Sequence, residues 1–331
     1  MRYRKGPGGH LRSRTCRRHC SRRAAFAVFF VFVFSASIVW LRGWTYDDND
    51  DDANGGWNVG PAPRKEDVEF IAALARLQPA CTVKRVDASV TTALEFKSSC
   101  IDPGVPCVVY NLTSNEAFRD ATRRRAFISR YGHAKVSVMS NHKAVKLDKK
   151  GAHYLYKAVD MTLGTFAKKM ASARGAKEEY IFGSEQDDAL APLLRSYAAP
   201  FGFHMSKLAF GIAPAMSGVP LHCHQGGFSE VIHGAKAWWL APLDAAPYFD
   251  WRTASEWARA GLRRGRFLAR DSTDDTATPS RSTLDFSRCI LTEREAMYFP
   301  PNHWHVTVNL LASVFVSAFA DPRDARGACD A

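Results

Sequence analysis

Two short segments of this chain each carry two histidines separated by one residue, a spacing that can bring both side chains into one site when the segment is an extended strand. They read Pro220-Leu221-His222-Cys223-His224 and, about eighty residues later, Pro300-Pro301-Asn302-His303-Trp304-His305. In a strand, the side chains of residues i and i+2 point to the same face. Each pair therefore projects together, and the four imidazoles can converge on the inner wall of a β-barrel.

A simpler interpretation is that these are core histidines bonded to the backbone. The distribution of histidines favours a metal site, because six of the eleven, including His204 and His233, fall between residues 204 and 305. A single lysine, Lys236, follows His222 by 14 residues and stands between a glycine and the apolar segment 237–241. An isolated cation in such a setting can hold an anion.

These residues resemble the JmjC (jumonji C) family of cupin-like Fe(II)/2-oxoglutarate dioxygenases. The matching segments are Ser217–His224, Gly234–Trp238 and Tyr298–Leu310, in the family's order and spacing. The likeness is weak from Cys81 and strong from Phe210 to Phe319, and it includes a small secretory-pathway member of the family. It implies a chain that is mainly β with flanking helices (α+β), in which a double-stranded β-helix follows a helical N-terminal part.

The resemblance also implies a ligand set. His222 and His305 take two metal-ligand positions, and Lys236 takes the position that pairs with the distal carboxylate of 2-oxoglutarate. His224 stands where the family's usual iron site has a carboxylate. Three neutral imidazoles leave the charge of a divalent ion undiminished, which favours the dianionic co-substrate. The same ligands also suit Zn²⁺, which is redox-inert.

The choice between His303 and His305 stays open on alternation alone, because both would share one strand face. The resemblance selects His305, since His303 stands where the family has a tryptophan. His303 and Asn309 are expected to lie beside the ligands without binding the ion.

The N-terminus predicts a membrane anchor. Residues 1–23 contain nine Lys or Arg and no acid, and residues 24–41 contain no charge, which is long enough for a transmembrane candidate. Basic residues before this run and aspartates after it predict a cytosolic tail (1–23) and a type II, single-pass topology. A cleaved signal peptide, with small residues at 35–37, is the alternative. Residues 42–64 are acidic and predict a flexible tether, and residues 65–325 predict the luminal domain, with its barrel core at about 205–320.

The net charge of +12 suggests nucleic acid, but nine of those charges lie in the tail and leave +3 for residues 24–331. A nearly neutral domain does not present a phosphate-binding face, so we expect no nucleic-acid partner. The expected partners are the membrane, through residues 24–41, and a protein substrate or a luminal protein. The expected location is the endoplasmic reticulum or another secretory compartment.

Six of the eight cysteines follow the anchor and can pair in an oxidising compartment, in any of about 15 combinations. Strand alternation points Cys223 away from the metal, which predicts a small core residue on the outer face. Asn111-Leu112-Thr113 is a glycosylation sequon and agrees with luminal exposure.

Hydrophobic periodicity predicts helices at 66–77, 117–131, 163–174, 189–197 and 250–263, and a buried strand at 105–110. The sheet-rich half is predicted to begin near Met205, and the polar run 271–282 to form a mobile loop.

The family implies Fe(II)- and 2-oxoglutarate-dependent hydroxylation of a protein side chain. The alternative is a non-catalytic binding or scaffold protein that keeps a metal site without turnover, because His224 replaces the carboxylate.

Overall fold

The computed structural model describes residues 53–140, 144–148, 151–154, 158–172, 179–183, 188–245, 247–248, 252–270 and 279–321. The basic tail, the predicted anchor at 24–41 and the first part of the predicted tether lie outside these ranges. Within the described ranges, the helices are all too short or too polar to cross a bilayer. The anchor therefore stays a prediction.

The helices in these ranges are α1 (Lys65–Ala75), α2 (Ala93–Phe96), α3 (Glu116–Ala121), α4 (Arg124–Tyr131), α5 (Leu163–Met170), α6 (Ala191–Leu194) and α7 (Ala254–Arg264). The helix predicted at 117–131 is split into α3 and α4. The Thr122 hydroxyl donates back to the carbonyls of Phe118 and Arg119, a local bond that competes with helix continuation. The start of α7 is set by Thr253 and Glu256, whose side chains cap each other's backbone N–H groups.

The strands are β1 (Lys84–Asp87), β2 (Cys107–Tyr110), β3 (Lys135–Ser140), β4 (Ala144–Asp148), β5 (Gly151–Tyr154), β6 (Val159–Thr162), β7 (Glu179–Gly183), β8 (Lys207–Ala213), β9 (Gly218–His222), β10 (Gly227–His233), β11 (Ala235–Ala241), β12 (Phe267–Arg270), β13 (Pro279–Leu284), β14 (Ser287–Thr292), β15 (Glu295–Phe299), β16 (Trp304–Asn309) and β17 (Ser313–Phe319).

The strands form two main sheets, one in the order β1-β2-β15-β10-β17-β8-β7-β3-β6 and one in the order β14-β11-β16-β9. From β8 to β11 and again from β14 to β17, successive strands alternate between the two sheets, while β11 and β14 pair with each other inside the smaller sheet. This is the topology of a double-stranded β-helix, and the predicted mainly β fold with flanking helices is confirmed.

Three sequence predictions need correction. Strands β1–β3, β6 and β7 extend the larger sheet well before residue 205, so the N-terminal part is not only helical. Residues 279–282, predicted as part of a mobile loop, lie in β13, which pairs with β12. Trp57, predicted to lie in the tether, is 1% exposed, and its indole N–H donates to the Thr122 carbonyl. Packed chain therefore begins before residue 65.

The alternation of β17 shows how the core is divided. Val314, Val316 and Ala318 pack in the outer layer between the large sheet and the helices. Phe315 and Phe319 point to the other face, toward the space between the two sheets. Both faces are covered, so β10, β11 and β17 are buried along their whole length.

Disulfides hold the domain at several points. Cys81 pairs with Cys289, and Cys100 pairs with Cys107. Cys223, one of the six cysteines expected to be able to pair, is disulfide-bonded as well. Strand β9 ends at His222, so the alternation that was used to predict the direction of Cys223 does not extend to this residue.

Candidate metal centre

Three histidines meet at one end of the space between the sheets. Register pairing of β9 with β16 places His222 directly opposite His305. His224 follows the end of β9, and its ring centroid lies 5.2 Å from that of His222 and 4.8 Å from that of His305. The ligand nitrogens of the three side chains all lie within 4.8 Å of one another. Two nitrogens bound to one ion are at most about 4 Å apart, so a small contraction closes the site.

The hydrogen bonds of the three rings select one tautomer. The Nδ1 atom of His222 lies 2.7 Å from the Pro220 carbonyl, and that of His305 lies 2.8 Å from the His303 carbonyl. His224 Nδ1 lies 2.7 Å from the Gln225 carbonyl. A carbonyl only accepts, so each Nδ1 must carry the proton. Each Nε2 then keeps a free lone pair, which is the arrangement of metal-binding histidines.

The surroundings of the rings keep them neutral. Burial, followed by the charge that His224 would carry, lowers the pKa of His222 to about 3. Burial, followed by the charges that His222 and His224 would carry, holds the pKa of His305 well below its usual value. Burial also lowers the pKa of His224. At neutral pH the three imidazoles are therefore unprotonated at Nε2 and ready to bind a cation without first losing protons.

Aromatic rings close the site around the histidines. Trp238 stacks on His305 with ring centroids 5.6 Å apart, and Phe299 does so at 5.3 Å. Phe299 and Phe319 meet the His224 ring edge-on. Phe299 and Phe319 were not predicted from the sequence to surround the site, because aromatic residues on buried strands are usually ordinary core residues. Trp238 had been noted only as part of the segment that contains Lys236.

Lys236 lies on β11 on the same face as Trp238, two residues away. It is 3% exposed, and its ammonium sits 3.3 Å from the ring centroid of Phe315 and 5.8 Å from that of Trp238. Burial lowers its pKa to about 7, and no charged group in the described ranges acts against that shift. Aromatic faces attract a cation but do not replace a counter-ion. This ammonium is therefore poised to accept an anion.

The comparisons with known proteins agree with this geometry. Human JmjC domain-containing protein 8 is 31% identical over 223 residues, which cover 65% of this chain and 75% of that protein. The rat protein of the same name is 32% identical over 224 residues, covering 65% and 74%. This chain belongs to the JmjC family. A more distant relative, Lysine-specific demethylase JMJ30 of Arabidopsis thaliana, is 24% identical over 252 residues, covering 71% of this chain and 54% of that protein. No protein-family model matches the chain.

JmjC proteins are cupin-like oxygenases that typically use Fe(II) and 2-oxoglutarate, and the described residues fit both. Three imidazoles offer free Nε2 atoms to a divalent ion, and Lys236 offers a buried ammonium to a carboxylate. The departure from the family is His224, a neutral ligand at the carboxylate position.

The other residues singled out in the sequence lie apart from the three ligand atoms. His303 precedes the start of β16, and in the described ranges the metal-holding group consists of His222, His224 and His305 without it. Asn309 pairs in register with Lys236, and its amide donates to Ser217 at 3.1 Å. Asn111 is exposed and has a positive φ of 60°, and its amide nitrogen lies 3.0 Å from a carboxylate oxygen of Asp87. Its glycosylation stays a prediction.

Proposed function

We propose that this JmjC protein is an Fe(II)- and 2-oxoglutarate-dependent oxygenase that hydroxylates a protein side chain in the secretory pathway. The observation that carries the proposal is the combination of three convergent imidazoles with one buried ammonium on the same inner wall, and this ammonium has no acidic partner in the part of the chain that the structure describes. A metal site alone would not require Lys236. A buried lysine without a counter-ion destabilises the fold, so its presence favours a ligand that supplies the missing charge.

In this proposal each group has a distinct task. His222, His224 and His305 hold the ion through Nε2, while the backbone carbonyls fix their ring orientation. Lys236 binds the distal carboxylate of the co-substrate, and Trp238 and Phe299 exclude water. With Fe(II), 2-oxoglutarate and O₂ bound, oxidative decarboxylation of the co-substrate supplies the oxidising power that converts a substrate C–H bond into C–OH.

A second function is favoured by one residue. A third neutral histidine at position 224 leaves the ion more positive than a carboxylate would, and the same three ligands suit Zn²⁺. The alternative is a luminal binding or scaffold protein that keeps the metal and lacks turnover.

The proposal is tested by metal content and co-substrate turnover. Full-length protein purified without oxygen in iron-replete medium is expected to hold about one iron per chain and to convert 2-oxoglutarate to succinate when O₂ is admitted. Turnover without substrate is slow in such chemistry, so peptide libraries, including N-methyl-lysine peptides, are added. Bound zinc with no succinate from any library would favour the scaffold function.

Two histidines provide a matched pair of variants. His305→Ala is expected to abolish metal retention, because two nitrogen ligands hold a divalent ion poorly. His303→Ala, two residues away, is expected to leave retention largely intact. The opposite result would show that the wrong histidine has been assigned.

His224→Asp distinguishes the two functions directly. It introduces the usual two-histidine, one-carboxylate site. If the wild-type protein is a tuned three-histidine oxygenase, succinate production falls in the variant. If the wild type is a binding protein with an intact pocket, the variant gains succinate production.

A further inference from the structure

Two adjacent tryptophans on β11 each carry an indole N–H that has no hydrogen-bond partner in the part of the chain that the structure describes. Trp238 is 3% exposed and Trp239 is 1% exposed. A buried indole N–H usually finds an acceptor. Because side chains alternate along a strand, the two rings lie on opposite faces of the smaller sheet. Only Trp238 stands on the face that carries Lys236 and His305.

The ring of Trp239 packs on the outer side of this sheet. It meets Trp257 of α7 at an angle of 87°, with ring centroids 6.2 Å apart. In an edge-to-face pair, an N–H on the edge of one ring can point at the π face of the other, which is a weak acceptor. The outer face therefore offers Trp239 an aromatic acceptor and needs no ligand.

The rings beside Trp238 are arranged differently. Phe299 and His305 lie nearly parallel to it, at 16° and 26°, with centroids 5.8 and 5.6 Å away. An indole N–H lies in the plane of its own ring, so it does not point at the face of a ring that is stacked parallel to it. Neither neighbouring ring therefore accepts the Trp238 N–H.

The groups directly across the strands do not accept this N–H either. Trp238 pairs in register with Cys289 on β14 and with Thr307 on β16. The Cys289 sulfur is bonded to Cys81, and the Thr307 hydroxyl oxygen accepts from the Val219 N–H at 3.4 Å. Within the described residues, the Trp238 donor is left for a ligand in the space between the sheets.

The ammonium of Lys236 borders the same space. It lies 5.8 Å from the centroid of the Trp238 ring, and both side chains project from one face of β11. Both groups only donate, so a ligand that satisfies them must offer two acceptors and a negative charge. A carboxylate has this form, because hydrogen bonds of about 2.8 Å to each of its oxygens bridge two donors that lie several ångströms apart.

We infer that Trp238 is a second binding residue for the carboxylate that Lys236 holds, and that its Nε1 donates a hydrogen bond to one of the two oxygens. Because that carboxylate is the distal one of 2-oxoglutarate, this inference rests on the proposed function. The ammonium supplies the charge, and the indole fixes the plane of the carboxylate. The pair selects a carboxylate over a carboxamide, whose NH₂ group would face one of the two donors.

The test removes the N–H from each tryptophan in turn. Full-length protein is loaded with Zn²⁺, which is redox-inert, so that 2-oxoglutarate is not consumed and its affinity can be measured by titration calorimetry. Trp238→Phe is expected to weaken binding about 10- to 100-fold, the loss for one hydrogen bond to a charged group. Trp239→Phe makes the same chemical change on the opposite face of the sheet and is expected to leave the affinity unchanged.

Three further measurements separate the N–H from the ring. Benzothienylalanine in place of Trp238 keeps a bicyclic ring of nearly the same size and replaces the N–H by sulfur, and it is expected to weaken binding as Trp238→Phe does. The preference for 2-oxoglutarate over its distal carboxamide is expected to fall in both variants. In wild-type protein labelled at its indole nitrogens, the magnetic-resonance signal that either variant lacks is expected to move downfield when 2-oxoglutarate binds.

The outcomes are distinguishable. If Zn²⁺-loaded wild type does not bind 2-oxoglutarate, the proposed function fails and this inference falls with it. If the wild type binds and the benzothienylalanine variant binds equally well, the proposed function stands and the inference is overturned. An equal loss of affinity in Trp239→Phe, or a Trp238 signal that does not move, also overturns it.

Discussion

Replacing Lys236 with methionine is expected to stabilise the metal-free protein while abolishing co-substrate binding. The ammonium is 3% exposed, and Phe315 and Trp238 are the aromatic rings that face it. Such cation–π contacts contribute up to about 2 kcal/mol each when desolvated, whereas an unpaired buried ion loses several kcal/mol of solvation. Methionine keeps a similar apolar stem and removes the charge.

The size and sign of the effect follow from the pKa of Lys236, which burial lowers from 10.5 to about 7. At about 1.4 kcal/mol for each pH unit, this drop corresponds to a destabilisation on the order of 5 kcal/mol. After about 2 kcal/mol is subtracted for the lost contact with Phe315, Lys236→Met should raise the free energy of unfolding by about 3 kcal/mol at pH 7 and below.

The higher free energy of unfolding of the Lys236→Met variant, relative to the wild type, should disappear as the pH rises. Between pH 7 and 10.5 the unfolded chain holds a proton on Lys236 that the folded chain has lost. The stability of the wild type therefore increases with pH in this window, by about 1.4 kcal/mol for each pH unit, while the methionine variant lacks this contribution.

The assay is urea unfolding of metal-free protein with intact disulfides, followed by tryptophan fluorescence at about pH 6.5 and about pH 9.5. Lys207→Met, at an exposed lysine of β8, is the control and should change stability by less than about 0.5 kcal/mol. If Lys236→Met destabilises the protein equally at both pH values, Lys236 is not an unpaired buried ammonium. If affinity for 2-oxoglutarate survives in the metal-loaded variant, Lys236 does not bind the co-substrate.

Three further predictions concern other parts of the chain. Burial raises the pKa of Asp67, but hydrogen bonds from Arg64 and Arg259 lower it more, so the net pKa is below 3.8. Asp67→Asn should therefore lower the free energy of unfolding, measured with urea at neutral pH, by about 3 kcal/mol. This difference between wild type and variant should be lost as the pH falls below 3.8. Gly211→Ala should lower stability by about 1–3 kcal/mol, because its Cβ would lie 2.3 Å from the Phe315 ring; an unchanged melting temperature would contradict that packing. Expression with sealed microsomes should give a glycosylated, protease-protected domain and Asn111→Gln should remove the mass shift, whereas digestion of the domain would refute the predicted topology.

Both histidine pairs show where strand alternation ends. His224 was expected to join His222 through alternation, but β9 ends at His222 and the following loop brings His224 to the site. His303 was expected to share a face with His305, but β16 begins at Trp304, so the rule does not apply to it. Alternation is a property of extended backbone, and the sequence alone did not predict where each strand stops.

The sequence by itself determined the segments that carry the three histidines and Lys236 as an isolated cation among apolar residues, and the resemblance to the JmjC family implied the barrel. Short motifs of this kind are local, so they can be recognised without knowing how the chain folds. The tertiary structure decided which histidines meet, which aromatic rings surround them, that β1–β3, β6 and β7 widen the larger sheet, and that Cys223 is cross-linked. Those outcomes depend on pairing between residues far apart in the chain, which is set by the packing of the whole domain and by where each strand ends.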